Sequence, residues 1–176
     1  YRNIIATAAP STFTYASNTD VSSANDTITE TAHGLYTGQP IIVNTTIGGL
    51  TLGVVYYAIC TLDGSSFATN CSADAFGVAT TIANALAGTK INLTSTGSST
   101  VTVTPGIAVI LPTASANTDR IITIKKSFAS TAPYVSIVPE AAAETIDGRI
   151  GVTVRCLGES TTVFCENSLW FVGGTS

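Results

Sequence analysis

Alternation of apolar and polar residues with a period of two is the feature that most constrains how this chain of 176 residues can fold. In residues 100–104, two valines alternate with three threonines, which is typical of a strand with one buried face. Strand patterns of this alternating or continuous apolar kind recur at residues 41–43, 53–59, 90–94, 108–111, 120–126, 134–138, 151–155, 160–164 and 169–172. Turn-forming pairs such as Asp63-Gly64 separate them. The pattern predicts an all-β fold.

Helix signals are confined to residues 80–88, where Leu86 stands at helical spacing from Ile82 and Gly88 provides a stop. We therefore expect at most one short helix, near residues 80–87. The strands fall into two small β-modules, barrel-like or sandwich-like, one inserted into the other. The inserted module is predicted at residues 24–104, and the outer domain at residues 1–23 plus 105–176, with residues 1–5 as one of its strands. Insertion costs little when the two ends of the inserted unit lie close together.

Composition excludes several classes of function. Charged residues make up 10% of the chain, against about a quarter in an average soluble domain. The net charge is −4, and only Lys125 and Lys126 are adjacent among the seven basic residues, so a nucleic-acid partner is not expected. Apolar runs fall short of the roughly 18 to 20 residues of a spanning helix, so membrane insertion is not expected either. Since the chain lacks methionine, we expect a processed product or part of a longer protein.

The four cysteines form two local pairs, Cys60 with Cys71 and Cys156 with Cys165. Neither pair has the spacing of a metal site, and His33 is the only histidine, so we expect no zinc site. We favour a disulfide within each pair, which would place the protein outside a reducing cytosol. The alternative is four free thiols buried as small apolar groups.

Residues 26–44 read as a strand, a tight turn and a second strand. Gly34 and Gly38 are suited to bracket a compact loop, because glycine adopts backbone angles that other residues resist. His33 would cap this loop by hydrogen bonding, since no nucleophile or second histidine accompanies it as acid–base catalysis requires. Asp147-Gly148 is predicted to form a hairpin turn.

Two further groups of residues are candidate sites. The carboxylates Glu140, Glu144 and Asp147 suggest glycan hydrolysis, but turns explain them without a pocket. The aromatic doublets Tyr56-Tyr57 and Trp170-Phe171 should each put one ring inward and one outward, because neighbouring strand residues face opposite sides. We favour a subunit interface for the outward rings and keep glycan contact as the alternative. No catalytic residue, metal ligand or cofactor is expected.

The strand at residues 120–126 carries a second apolar face. Ile122 and Ile124 point to one side, whereas Ile121 and Thr123 point to the other, so the second face is only half polar. A sheet with two partly apolar faces is expected to be covered on both. In a chain of this size, the second cover is expected to come from a neighbouring subunit.

Ordered motifs in both modules resemble parts of virion proteins. The inserted module is similar to a β-module of tailed-phage structural proteins, in the order Asp-x-Ile, His-Gly-Leu-x-Thr-Gly, Gly-Val-x-Tyr-Tyr-x-Ile and Ala-Asn-Ala-Leu-Ala-Gly-Thr-x-Ile-x-Leu-Thr. These motifs stand at residues 26–28, 33–38, 53–59 and 83–94. The outer domain resembles a tail-fibre or virion-surface β-domain at residues 110–113, 120–126, 144–148 and 169–173. The resemblance implies β-rich domains that self-associate, commonly as trimers.

Together these observations predict a non-enzymatic structural protein of the virion surface, a fibre, spike or decoration subunit that works by self-assembly. Its expected partners are further copies of itself, with a trimer favoured, and other virion proteins. One alternative is a tip module that binds a host glycan or receptor. Another is a subunit of a cellular surface filament that donates its N-terminal segment, up to Ser17, to a neighbour.

Overall fold

A computed structural model of the chain describes residues 2–6, 11–60, 74–95, 98–126, 134–139, 143–154 and 158–175. Fourteen strands dominate it: β1 Arg2–Ala6, β2 Phe13–Ala16, β3 Val21–Ser22, β4 Thr27–Thr29, β5 Pro40–Val43, β6 Val55–Ile59, β7 Ala75–Ala79, β8 Thr100–Pro105, β9 Ile107–Leu111, β10 Ile121–Lys126, β11 Val135–Pro139, β12 Val152–Val154, β13 Ser160–Glu166 and β14 Leu169–Thr175. One short helix, α1, spans Ile82–Leu86, and one 3₁₀ turn spans Ala114–Ala116. The predicted all-β class is confirmed, and no helix within the described residues has the length and apolar character to cross a bilayer.

The strands form three sheets. Seven strands make the largest, in the order β2-β8-β5-β6-β7-β4-β3, with every pairing antiparallel. Four strands make the second, in the order β1-β10-β13-β14, and three make the third, in the order β12-β11-β9. The pairings β1–β10 and β9–β11 are parallel. Sequence neighbours from β2 to β8 therefore share one sheet, while β1 and β9 to β14 build the other two.

The seven-stranded sheet curls around its own core. The rings of Phe13 on β2 and Phe76 on β7 meet edge to face, with 5.8 Å between their centroids. Three strands separate β2 from β7 in the sheet, so the sheet must bend strongly for these rings to touch. Tyr15, Val101 and Val103 lie fully inside, and burial raises the pKa of Tyr15 to about 12.

The two smaller sheets share a second core. It combines Ile122, Ile124 and Val163 of the four-stranded sheet with Val109, Leu111, Val135 and Ile137 of the three-stranded sheet. Side chains from both sheets fill it, and β10 contributes through alternate residues only, which is the expected signature of a sheet with one face turned inward. The outward face of the four-stranded sheet is therefore left for another role.

The segment from residue 11 to residue 23 belongs to the inserted sheet, which corrects the predicted module boundary. β2 pairs with β8, and β3 pairs with β4, so both strands complete the seven-stranded sheet. The sheet thus runs from Phe13 to Pro105 rather than from residue 24 to residue 104. The short, mixed pattern of residues 13–22 hid these strands: β2 has its partner far along the chain in β8, and β3 is only two residues long. With Phe13 paired to Val103, the entry and exit of the inserted sheet are neighbours.

Residues 26–44 form a strand, a loop and a second strand in the predicted order, although β6 and β7 lie between these two strands, β4 and β5, in the sheet. One local prediction needs correction. Residues 90–94 are extended but belong to no strand. Their backbone amides bond instead to scattered partners: Ile91 N to Val78 O at 2.9 Å, Leu93 N to Asp26 Oδ1 at 2.8 Å and Thr94 N to Gly48 O at 3.0 Å.

Glycines let this extended segment approach the turn between β5 and β6. A Cβ atom on Gly49 would lie 2.5 Å from Asn92 O, and one on Gly48 would lie 2.7 Å from Thr94 O. Both glycines have positive φ, at 91° and 63°. No side chain larger than hydrogen fits at Gly48 or Gly49. The segment of residues 90–94, which follows α1, can therefore pack here only because both positions are glycine.

Hydrogen bonds to backbone carbonyls join the inserted sheet to the outer sheets. Gly106 N donates to Pro40 O at 2.7 Å, and Gln39 Nε2 donates to Gly106 O at 2.8 Å. Ser136 Oγ donates to Gly38 O at 3.2 Å from the three-stranded sheet. Leu86 of α1 packs against Val138 beside these bonds. These contacts join the two modules at the start of β5, so the turn between β5 and β6 lies at the far end of the inserted sheet.

Replacing Gly49 by alanine should destabilise the protein more than the same change at Gly53. Both have positive φ, which costs an alanine about 1 kcal/mol, but space around Gly53 is open. The clash with Asn92 O should cost Gly49→Ala about 2 kcal/mol more. The measurement is the free energy of unfolding in urea, and equal losses for the two variants would contradict the close approach.

Candidate interaction surface

The outward face of the four-stranded sheet carries alternate residues of β10, β13 and β14 in register. Ile121 pairs with Phe164, which pairs with Phe171; Thr123 pairs with Thr162, and Lys125 pairs with Ser160. Glu166 pairs with Leu169 at the end of the face beside Ile121. We call this set the outer face: Ile121, Thr123, Lys125, Ser160, Thr162, Phe164, Glu166, Leu169 and Phe171.

Apolar side chains on the outer face remain in contact with water. Leu169 is 52% exposed and Ile121 is 37% exposed, and Phe164 and Phe171 are half-buried. The two rings stack on each other with their centroids 5.4 Å apart and an interplanar angle of 21°. A depression of about 210 Å³ opens beside them, lined by Asp119, Arg120, Ile121, Phe164, Cys165 and Glu166. The surface of the apolar strip is thus uneven, and charged groups lie at one end of it.

The sequence indicated Ile121 and the doublet Trp170-Phe171, without distinguishing the outward ring, and gave no indication of Phe164 or Leu169. The available signal was the alternation of β13, where Phe164 stands in phase with Ser160 and Thr162 on the polar side. A large ring in the polar phase of a strand indicates a face that another surface covers. The register between β13 and β14, which brings Phe164 onto Phe171, comes only from the fold.

The inward rings of the two aromatic doublets belong to the cores. Trp170 is fully buried, and its Nε1 donates to Pro112 O at 3.1 Å. Tyr56 is buried, and its hydroxyl oxygen accepts from Thr51 N at 2.9 Å. Tyr57 is half-buried and packs with Ile59, Ala79 and Ala85 beneath α1, so among the outward rings Phe171 alone lies on the outer face.

His33 lies at the mouth of the inserted sheet. Its Nδ1 accepts a hydrogen bond from Leu35 N at 3.1 Å, which closes the loop. The buried ring stands 4.9 Å from Phe76 and 6.0 Å from Phe13, measured between ring centroids. The two flanking glycines have positive φ, at 66° for Gly34 and 81° for Gly38, so the chain can reverse twice around the ring. His33 thus both packs against the core and orders its loop.

Asp147 and Gly148 form a two-residue turn with φ values of 56° and 72°. The flanking residues Ile146 and Arg149 exchange two backbone hydrogen bonds of 2.7 and 2.9 Å. Positive φ at both central residues matches the right-handed twist of paired strands, and the Asp-Gly pair suits it. Asp147 N also donates to Trp170 O at 2.8 Å, which attaches the turn to β14.

Glu144 binds backbone rather than facing an open cleft. Its Oε1 accepts from Ala114 N at 2.9 Å, and Cys165 Sγ donates to Ala114 O at 3.2 Å. The two side chains therefore hold the 3₁₀ turn from both sides of one residue. Glu140, the third candidate carboxylate, lies outside the described residues.

The cysteines require a correction. Cys165 is a free, buried thiol, so the predicted Cys156–Cys165 disulfide is wrong. Its side chain points into the outer core and bonds to Ala114 O, although the short separation in sequence favoured a cross-link. Cys60 is disulfide-bonded, whereas its predicted partner Cys71, and Cys156, lie outside the described residues. Burial raises the pKa of the Cys165 thiol, and the carboxylates Glu144 and Asp119 raise it further.

Within the described ranges, no group of three or more His, Cys, Asp or Glu side chains is placed to hold a metal ion. Comparison with models of protein families, with curated proteins and with solved structures finds no match for this chain. Function must therefore be inferred from the surfaces of the molecule itself.

Stability should fall as the pH rises above about 8.5, the ordinary thiol pKa, because the unfolded chain loses the Cys165 proton there while the folded chain keeps it. The slope of the unfolding free energy should approach about 1.4 kcal/mol per pH unit at most. Replacing Cys165 by alanine should make the unfolding free energy depend less steeply on pH between about pH 8 and 10. This range lies below the pH at which Tyr15 titrates. Urea unfolding at several pH values measures it, and an unchanged slope in the variant would contradict the assignment.

Proposed function

We propose that this protein is a non-enzymatic structural subunit that works by self-assembly through the outer face. The observation that carries the proposal is the strip formed by Ile121, Phe164, Phe171 and Leu169 on the outward side of a sheet whose other side already fills a core. Exposed apolar patches that combine aromatic rings with polar neighbours are typical of protein interfaces.

Burial supplies the driving force. A large apolar side chain contributes about 1.5 to 3 kcal/mol when it passes fully from water into a packed environment. Phe164 and Phe171 are half-buried already, so each would contribute only part of this amount on association. The four side chains together would contribute a few kcal/mol before the entropy of association is subtracted. Association is therefore expected to be moderate for one pair of faces and strong in an array.

The charge distribution favours assembly through the outer domain. Residues 11–105 contain Asp20, Asp26, Glu30, Asp63 and Asp74 against the single Lys90, so this module carries the whole net charge of −4. The remaining residues contain six acidic and six basic side chains and are neutral overall. Like charges repel, so the inserted modules of neighbouring subunits should stay apart while the neutral outer domains meet.

The same proposal places the protein at the surface of a virion, as a fibre, spike or decoration subunit. Its support is the ordered series of motifs that resembles phage structural proteins, together with the low-charge, Thr-rich composition. Residues of these motifs have structural roles. His33 orders its loop. Residues 83–94 contribute to α1 and form the segment that packs on Gly48 and Gly49. Partners would be further copies and other virion proteins, with no cofactor required.

Specific observations weigh against the alternatives. A filament subunit would donate its N-terminal segment, but Arg2–Ala6 pairs with β10 and Phe13–Ala16 pairs with β8 of the same chain. A glycan-binding tip would present an exposed aromatic ring beside polar loops. The large apolar side chains with the highest exposure among the described residues are aliphatic, namely Leu52, Val54, Ile121 and Leu169.

Imaging of the native assembly tests the placement. Intact virions purified from the source should contain the chain in many stoichiometric copies by mass spectrometry, and gold-labelled antibody should decorate their surface. The protein's presence only in the soluble fraction, with purified virions devoid of it, would contradict the virion role.

Replacing Phe164 by serine should weaken self-association at least about tenfold, because the stacked strip loses half of its aromatic surface. Leu52→Ser is the matched control, since Leu52 is 58% exposed but lies on the inserted module. Sedimentation velocity over a concentration series measures association. Leu169→Ser, which alters a more exposed side chain, guards against a loss caused by unfolding. Wild-type protein that stays monomeric at all concentrations would overturn the proposal.

A further inference from the structure

Charge on the outer face is arranged from end to end. Glu166 and Asp119 lie at the end beside Leu169, and Arg120 lies with them around the depression. Lys125 lies at the opposite end, in register with Ser160. All four charged side chains are exposed. The face therefore has one end with a net charge of −1 and one end with a charge of +1, about six residues or about 20 Å apart along β10.

We propose that two copies of this chain pair face to face, with their strands antiparallel, about a two-fold axis that lies in the plane of the interface and runs across the strands. This inference rests on the proposed function and names its partner surface. Rotation by 180° brings Lys125 of each copy over Glu166 and Asp119 of the other. The same surface then serves both partners, as an isologous interface requires.

The positions of the apolar side chains on the outer face also fit this rotation. The row of Ile121, Phe164 and Phe171 lies next to the row of Thr123, Thr162 and Gly174. A two-fold axis between these rows places the rings of one copy over the threonine methyl groups and the bare Gly174 of the other. A Cβ atom at Gly174 would meet nothing within 4 Å, so the backbone there is open to an incoming ring.

Charge also distinguishes this pairing from a parallel trimer. In a parallel arrangement about a three-fold axis, the Glu166 ends of three copies would meet, and so would the three Lys125 side chains. Like charges brought together in this way destabilise an interface, whereas the antiparallel pair matches opposite charges twice. The two-fold pairing thus differs from the trimer that the sequence resemblance implies.

The area of the face sets the expected strength. Four strands at about 4.8 Å spacing and six residues at about 3.4 Å rise give a face of about 19 Å by about 20 Å. This is about half of the roughly 800 Å² per partner in a standard interface. The isolated pair should therefore associate with a micromolar or weaker dissociation constant, and measurements should extend to several hundred micromolar.

Reciprocal charge reversal tests the register. Lys125→Glu and Glu166→Lys should each raise the dissociation constant of the homodimer about tenfold or more at low salt, because each creates two like-charge contacts. An equimolar mixture of the two variants should recover most of the wild-type affinity, since both contacts between positions 125 and 166 in the mixed pair again join opposite charges. Asp74→Lys, which makes the same charge change on the inserted module, should leave association unchanged.

The outcomes separate this inference from the proposed function. Weak homodimers with a restored mixed dimer, by sedimentation equilibrium and native mass spectrometry, support the antiparallel pairing. If neither reversal weakens association while Phe164→Ser still does, the antiparallel register is overturned and the assembly function stands. A trimer, or single variants that stay weak when mixed, overturns the two-fold pairing. Absence of any wild-type association overturns both.

Discussion

The pairing of β2 with β8 is the interaction on which the rest of the structure depends. It places Phe13 opposite Val103, so the chain enters and leaves the inserted sheet on adjacent strands. Because the two ends are neighbours, the outer domain can accept a sheet of this size at the cost of one connection. The same strand β8 then continues into β9 through Gly106, whose amide bonds to Pro40 O and thereby joins the two cores.

Once the two cores have formed, the four-stranded sheet still has one face that no core covers. The four-stranded sheet buries Ile122, Ile124 and Val163 against the three-stranded sheet and turns Ile121, Phe164 and Phe171 to the outside. The stacked rings of Phe164 and Phe171 are half-buried, so each retains surface that association would bury. The proposed assembly function rests on this uncovered face, and the proposed contact joins the neutral outer domains rather than the acidic inserted modules.

The residues that were candidates for chemistry make structural contacts. His33 bonds to Leu35 N and packs between aromatic rings, Asp147 occupies a turn with positive φ, and Glu144 holds the amide of Ala114. Cys165 donates to the carbonyl of that same alanine. The hydrogen bonds of His33, Glu144 and Cys165 thus order the backbone around Leu35 and Ala114.

The sequence by itself determined the all-β class, the short helix at Ile82–Leu86, most long strands and the inward phase of β10, because these depend on local periodicity. It also pointed to the doublet Trp170-Phe171 and to a second apolar face. Only the tertiary structure decided which strands are neighbours, so residues 13–22 joined the inserted sheet, and β6 and β7 came to lie between the two strands of residues 26–44. The free thiol of Cys165 and the stack of Phe164 on Phe171 likewise depend on register between distant segments. Periodicity specifies which face of a strand is apolar, whereas long-range hydrogen bonding specifies what that face meets.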